Sequence, residues 1–218
     1  CFVIITEYNR RIQGFLVRGV ERIVNMNWSD IQPPPKGLSN DNYLTAVCQV
    51  DKEMVEIIDV EQILSEVAPT RQDISEGIVN ADVTENAKKH HILIVDDSSV
   101  ARKQIKRCME QVGFATTVLC DGREALTFLQ DMVAEGKDVT QEFSMVISDI
   151  EMPEMDGYTL TTAIRNDSRL QDLFILLHTS LSGVFNEAMV KKVGADGFLA
   201  KFQPDELARL AIETVQVQ

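Results

Sequence analysis

Apolar and polar positions follow two different rules along this chain. From Ile92 onward, short apolar runs trade places with stretches of helical spacing. ILIV at 92–95, ATTVLC at 115–120, MVIS at 145–148, LFILLHTS at 173–180 and GFLA at 197–200 read as strands. After the first of them, Val100, Ile105, Cys108, Met109 and Val112 keep a helical period. Ser98 or Ser99 suits its N-cap, and Gly113 its stop. Further helices are predicted over Arg123 to Val133, around Leu160, Ala163 and Ile164, and up to Val193 before Gly194. Pro204 suits the first turn of a closing helix that carries Leu207, Leu210 and Ala211 on one face. Five strands, each followed by a helix, imply an α/β doubly wound fold with a five-stranded parallel sheet covered on both faces.

Residues 1–64 follow a period of two instead. CFVIITEY and RIQGFLVRGV are rich in β-branched and aromatic residues. YLTAVCQVDKEMVEIIDVEQIL reads as two strands around a polar turn at Asp51-Lys52. The segment NMNWSDIQPPPKGLSNDN between them holds three consecutive prolines and cannot continue a ladder. Residues 66–90 lose the apolar period and read as a linker with a helical stretch. The expected organisation is a β-rich domain at 1–65, a linker at 66–90 and an α/β domain at 91–218. The chain opens without Met inside an apparent strand, as a fragment does, so that strand is expected to need partners upstream of this sequence.

Charge narrows the class of partner. The net charge of the 218 residues is −13, which argues against nucleic acid and anionic membrane. It is concentrated at the C-terminal side, where residues 92–218 carry twelve basic and twenty acidic side chains. No apolar run is long enough for a membrane span, so direct membrane insertion is not expected. The four cysteines form no C-x-x-C pair, which suggests neither a zinc site nor a disulfide framework, and reduced thiols in a cytoplasm are the simple reading. His90 and His91, where linker meets strand, are expected to be solvated.

In a doubly wound sheet, ligands bind beyond the carboxyl ends of the strands. The residues there are Asp96 and Asp97 after the first strand, Asp149 after the third, Thr179 at the end of the fourth and Lys201 after the fifth. Three carboxylates so placed repel one another and raise one another's pKa. A hard divalent cation such as Mg²⁺ removes the conflict, because it takes oxygen ligands. A phosphoryl group would complete the balance, its oxygens held by Lys201 and Thr179. An isolated Asp-Asp pair is more simply a helix cap; the other three residues at strand ends reverse that preference.

On these residues, 92–216 resemble a response-regulator receiver domain. The carrying motifs are ILIVDD, DGREAL, VISDIEMPEMDG, HTS and GADGFLAK, in that order. The resemblance implies that Asp149 is the phosphoacceptor. It also implies that Asp97 and Asp149 ligate Mg²⁺ directly, that Asp96 acts through water, and that the backbone carbonyl of Glu151 is a further ligand. Thr179 and Lys201 would contact the phosphoryl group, and Thr179 and Phe198 would form the switch. Such a domain catalyses its own phosphorylation and dephosphorylation and is not a conventional enzyme. One departure is Phe202, where many receivers have Pro after the lysine; Pro204 follows two residues later, so a cis peptide after Lys201 is not supported. The stretch AEGKDVTQEF is long for the family and is expected to be a loop away from the site.

Residues 1–64 resemble the C-terminal portion of a CheW-like scaffold domain, an all-β fold of small barrels, through GFLVRGVERIV, IQPPP, YLTAVCQVD and VEIIDVEQIL. The combination is similar to the CheV family of chemotaxis coupling proteins. It implies a cytoplasmic adaptor, recruited to receptor arrays, with chemoreceptors and a histidine kinase as partners. The competing readings are a phosphate sink without direct output and a phosphotransferase of the haloacid dehalogenase type. The latter places its nucleophilic Asp before the acidic pair, the reverse of the order here. A DNA-binding response regulator would need a basic helix-turn-helix after the receiver.

Overall fold

The computed structural model describes residues 1–8, 11–27, 30–32, 43–58, 60–67, 73–179, 184–201 and 203–217. The chain divides into two compact units, Cys1–Thr70 and Arg71–Gln218.

In the first unit, β1 (Phe2–Tyr8) and β2 (Arg11–Val17) pair antiparallel. A separate antiparallel sheet joins β3 (Ile31–Gln32), β4 (Leu44–Val50) and β5 (Glu53–Ile58) in that order. The turn between β4 and β5 falls at Asp51-Lys52, and both residues have positive φ, 49° and 72°. That is the two-residue hairpin geometry whose twist matches the flanking strands. Two expectations need correction. The proline-containing segment does contribute to a ladder, because Ile31 and Gln32 pair with Cys48 and Val47 just before the prolines, which lie outside the described residues. And the end of the second expected strand is helix α1 (Val60–Val67), where Val60, Ile63, Leu64 and Val67 recur every three or four residues. Few side chains of this unit are buried; Ala46, Val47 and Cys48 on β4 are those that are, among the described residues.

The second unit is the expected parallel sheet. Its strands are β6 (His91–Val95), β7 (Ala115–Leu119), β8 (Met145–Ser148), β9 (Ile175–Thr179) and β10 (Gly197–Ala200). Their spatial order is β7-β6-β8-β9-β10, and every pairing is parallel. The strand pleat sends Leu93 and Val95 to one face and Ile92 and Ile94 to the other. On the first face they meet Ala125 and Leu129 of α4 (Gly122–Ala134), Leu160 and Ile164 of α6 (Gly157–Asn166) and Val190 of α7 (Val184–Val193). On the second they meet Ile105, Met109 and Val112 of α3 (Ser99–Val112) and Leu207 and Ala211 of α8 (Pro204–Val217). Each fully buried Leu, Ile, Val or Met side chain among them stabilises the fold by roughly 1.5–3 kcal/mol. Ser98 caps α3, its hydroxyl accepting from Ala101 N, and Gly113 ends it at φ 118°.

The expected linker at 66–90 is packed from residue 73 onward. Residues 73–90 belong to the second unit and include helix α2 (Ala81–Ala87), the expected helical stretch. Ile74, Ile78, Val79, Val83 and Ala87 pack against the α3/α8 side of the core. Polar contacts fix the same stretch. Asp73 pairs with Arg107 at 2.7 Å, and Ser75 donates to Asp205 from both its backbone N and its hydroxyl, at 2.7 and 2.6 Å. Ile74, Ile78 and Val79 lie in bends and turns ahead of α2, outside any regular element, which hid the packing. His90 and His91 are half-buried rather than solvated: His90 bonds Ser144 Oγ at 2.7 Å and His91 bonds Thr117 Oγ1 at 2.9 Å. The expected loop at 134–143 contains a helical turn, α5 (Val139–Glu142), capped by Asp138 and anchored by buried Val139 and Phe143.

Candidate functional site

The sheet order puts the topological switch point between β6 and β8, where the neighbouring connections leave to opposite faces. The two acidic loops meet there. Asp96 and Asp97 follow β6, and Asp149 follows β8, its N–H bonded to Val95 O at 2.8 Å. One ligand oxygen from each of the three carboxylates lies within 4.8 Å of the others. Asp96 and Asp149 are buried and Asp97 is exposed.

Lys201, one residue beyond β10, reaches across the edge. Its Nζ sits 2.7 Å from Asp96 Oδ2 and 2.8 Å from Asp149 Oδ2, and the residue is only 5% exposed. Burial alone would lower the lysine pKa; the charges of Asp96 and Asp149 outweigh it, and the shift is upward. Burial pushes the Asp96 carboxyl up, to about 7, against the pull of the Lys201 ammonium and with the Asp149 charge adding to the rise. Asp149 Oδ1 accepts from Ile150 N at 2.7 Å, so its two oxygens are held differently.

The loop after Asp149 has little freedom. Gly157, at the start of α6, lies so close that a Cβ there would stand 2.1 Å from the Asp149 carbonyl oxygen. Gly157 N closes the loop on Ile150 O at 2.9 Å. Glu151, exposed, sits inside this loop, two residues past Asp149. Thr179 ends β9 fully buried, and its carbonyl accepts from Lys201 N at 2.8 Å. Thr179 and Lys201 are thus neighbours across β9 and β10. Phe198 pairs in register with Leu177 and packs on the α4/α6 side of the core, two strand positions before Ala200, the partner of Thr179. Phe202 lies outside the described residues, and with it the peptide after Lys201.

Two contributors were not visible in the sequence reading. Arg102 Nη1 donates to the carbonyls of both Asp96 and Asp97. His178, buried on β9 beside Thr179, is pushed down to about 3 by burial, with the Lys201 charge adding to the effect. Cys120, Asp121 and Glu124 form another group with metal-ligand potential. Those side chains already serve the entry to α4: Asp121 accepts from Glu124 N, and the Cys120 thiol donates to Glu124 Oε2 at 2.9 Å. That bond is the main reason the thiol is pushed up and the carboxyl down.

Residues 92–212 match the response regulator receiver domain. The chain belongs to that family. Residues 1–68 match the CheW-like domain. Chemotaxis protein CheV3 of Helicobacter pylori is 31% identical over 94% of this chain and 66% of the relative, and chemotaxis protein CheV2 of the same organism is 28% identical over 98% and 67%. The chain therefore spans about two thirds of the length of these curated relatives. The order CheW-like, then receiver, is that of a CheV-type protein. Among solved structures, a response regulator from Chloroflexus aurantiacus J-10-fl is 27% identical with a TM-score of 0.50, covering 58% of this chain and 98% of that one. A two-component system response regulator/GGDEF domain protein is 26% identical with a TM-score of 0.52, covering 62% and 52%. Both likenesses fall on the receiver fold. No helix among the described residues is long and apolar enough to cross a membrane.

Proposed function

We propose that this chain is part of a chemotaxis coupling adaptor whose receiver half is switched by phosphorylation of Asp149. The observation that carries the reading is Lys201 bridging Asp96 and Asp149, with Asp97 beside them, at the switch point of a receiver sheet. The CheW-like segment supports the adaptor role, with chemoreceptors and a histidine kinase as partners.

The donor set fits Mg²⁺: three carboxylates face one ammonium, all donors are oxygen, and one carboxylate is open to solvent. Asp97, Asp149 and the Glu151 carbonyl would hold the ion, with Asp96 acting through water. When bound, Mg²⁺ offsets the negative charge of an incoming phosphoryl group. The residues do the rest. An Asp149 carboxylate oxygen forms a bond to phosphorus as the bond to the donor's histidine nitrogen breaks, giving an acyl phosphate. Lys201 exchanges its contact with Asp149 for a phosphoryl oxygen, and the Thr179 hydroxyl binds another. Water later attacks phosphorus, inorganic phosphate leaves and the carboxylate is regenerated, so the chain modifies only itself and is not a conventional enzyme. As Thr179 moves, Phe198 changes its rotamer population and remodels the surface around α7 and β10, since the phosphoryl group shifts the equilibrium only through contacts that differ between states.

The test is phosphotransfer from a phosphorylated chemotaxis histidine kinase. The wild-type chain should take the label in Mg²⁺ and lose that capacity in chelator, and Asp149→Ala should take none. Labelling of Asp149→Ala at the wild-type rate sinks the assignment of the acceptor, and labelling undiminished in chelator sinks the metal.

A further inference from the structure

Of the three carboxylates, Asp97 alone is exposed, and the backbone that carries it sets where its side chain starts. That backbone is the short connection between β6 and the N-cap Ser98. From the α3 side, the Arg102 side chain holds it. Arg102, half-buried in the first turns of α3, turns back so that one Nη1 donates to Asp96 O at 2.5 Å and to Asp97 O at 2.7 Å. Two further bonds tie the same connection to the helix start: Arg102 N to Ser98 O, and Ser98 N to Asp96 Oδ1, both at 2.9 Å. Nothing in ordinary helix formation calls for an arginine to bind two carbonyls of the preceding loop.

We propose that Arg102 is a positioning residue for the divalent-cation site, its paired hydrogen bonds fixing the direction in which the Asp97 carboxylate leaves the backbone. The inference rests on the metal reading above. Charge and position act here with opposite signs, which makes the two separable. A guanidinium is permanently positive, and its charge alone opposes a cation bound nearby. Were charge its whole contribution, removing it would tighten Mg²⁺ binding. Removing the two bonds leaves the loop to be ordered by the ion itself, and that entropy is then drawn from the binding free energy. The charge acts between a half-buried group and an exposed one, where salt screens it, whereas the hydrogen bonds to a charged donor act at contact distance, so position outweighs charge.

The experiment is calorimetric titration of the full chain with MgCl₂, for wild type, Arg102→Met and Arg102→Lys, with a melting curve of each in chelator. Arg102→Met, which keeps an apolar stem but no donor, should raise the Mg²⁺ dissociation constant about ten-fold, the low end for a residue that orients a metal ligand. Arg102→Lys keeps the charge on a shorter stem and should fall between the two. Mg²⁺ binding to Arg102→Met that equals or exceeds wild type overturns the proposal, and so does a lowered melting point in chelator with an unchanged dissociation constant. If Arg102→Met does not fold, Arg102→Lys decides: weaker binding supports the proposal and unchanged binding overturns it. A wild-type chain that takes up no Mg²⁺ overturns the metal reading itself, a result distinct from any difference between variants.

Discussion

The two units use the same kinds of residue to opposite effect. In the receiver, β6, β8 and β9 are buried almost end to end, and Ile92, Leu93, Ile94 and Ile147 are wholly covered. In the CheW-like unit, strands just as apolar lie open: Ile5 is 72% exposed, Leu16 74% and Met54 74%. β-propensity therefore tells where a strand runs, not whether its faces are covered. What covers the receiver strands is a helix after each one, so that the site at their ends is held by a core that can resist the repulsion of three carboxylates.

This contrast is open to direct attack. The largest effect is expected at Gly157. A Cβ there would meet the Asp149 carbonyl at 2.1 Å, so Gly157→Ala should cost at least about 3 kcal/mol in urea unfolding. Gly19 in the CheW-like unit has nothing within 4 Å of the same added atom, and Gly19→Ala should stay within about 0.5 kcal/mol. Equal costs at the two positions would mean that the difference in packing does not translate into stability.

Next comes pH. His178 is buried and its pKa is pushed down to about 3, while in the unfolded chain it titrates near the ordinary imidazole value of 6.5. Below 6.5 the unfolded chain takes up a proton that the folded one refuses, so this group's contribution to stability falls as pH drops from 6.5 toward 3. The slope is at most about 1.4 kcal/mol per pH unit. His178→Leu should remove it, so that urea midpoints of wild type and variant diverge between neutral and acidic buffer. Parallel midpoints across that range would show that the buried imidazole is not the group that titrates.

A metal effect should be smaller and confined to one unit. At a hundred times its dissociation constant, Mg²⁺ should stabilise the receiver by about 2.7 kcal/mol. Amide exchange at β6 and β8 should slow, and exchange at β4 and β5 should not. Slowing in both units alike would erase the distinction. Smaller again is the contact between the former linker and the receiver. Ser75→Ala removes the hydroxyl bond to Asp205 and leaves the backbone one, for a loss of about 1 kcal/mol, read as faster exchange in α2. Unchanged exchange there would return residues 73–90 to the status of a tether.

Most of the receiver was legible because its signals agree. ILIV, Ser98, Gly113 and the period of Val100 to Val112 each point to the same strand, cap and helix, and the residues after the strands then fall together of necessity. Asp96, Asp97, Asp149, Thr179 and Lys201 could be placed from strand ends alone. Arg102 could not, because an arginine in a first helical turn usually faces water, and only in the folded structure does it turn back on the loop. The docking of Ile74, Ile78 and Val79 was hidden for another reason: a stretch of bends and turns packs by fitting a surface and needs no period of its own. VEQIL reads from sequence as the end of a strand, because α1, at eight residues, holds too few turns for either period to win.

The burial of Lys201 also divides the chain's amines by reactivity. Acylating reagents consume the neutral amine and need room to approach it. Lys201 has neither, being enclosed and held in its ammonium form by two carboxylates, whereas every other described lysine is exposed. A mild acylating reagent should therefore mark the surface lysines and pass over the one at the heart of the site, which makes its silence a footprint of the assembled pocket.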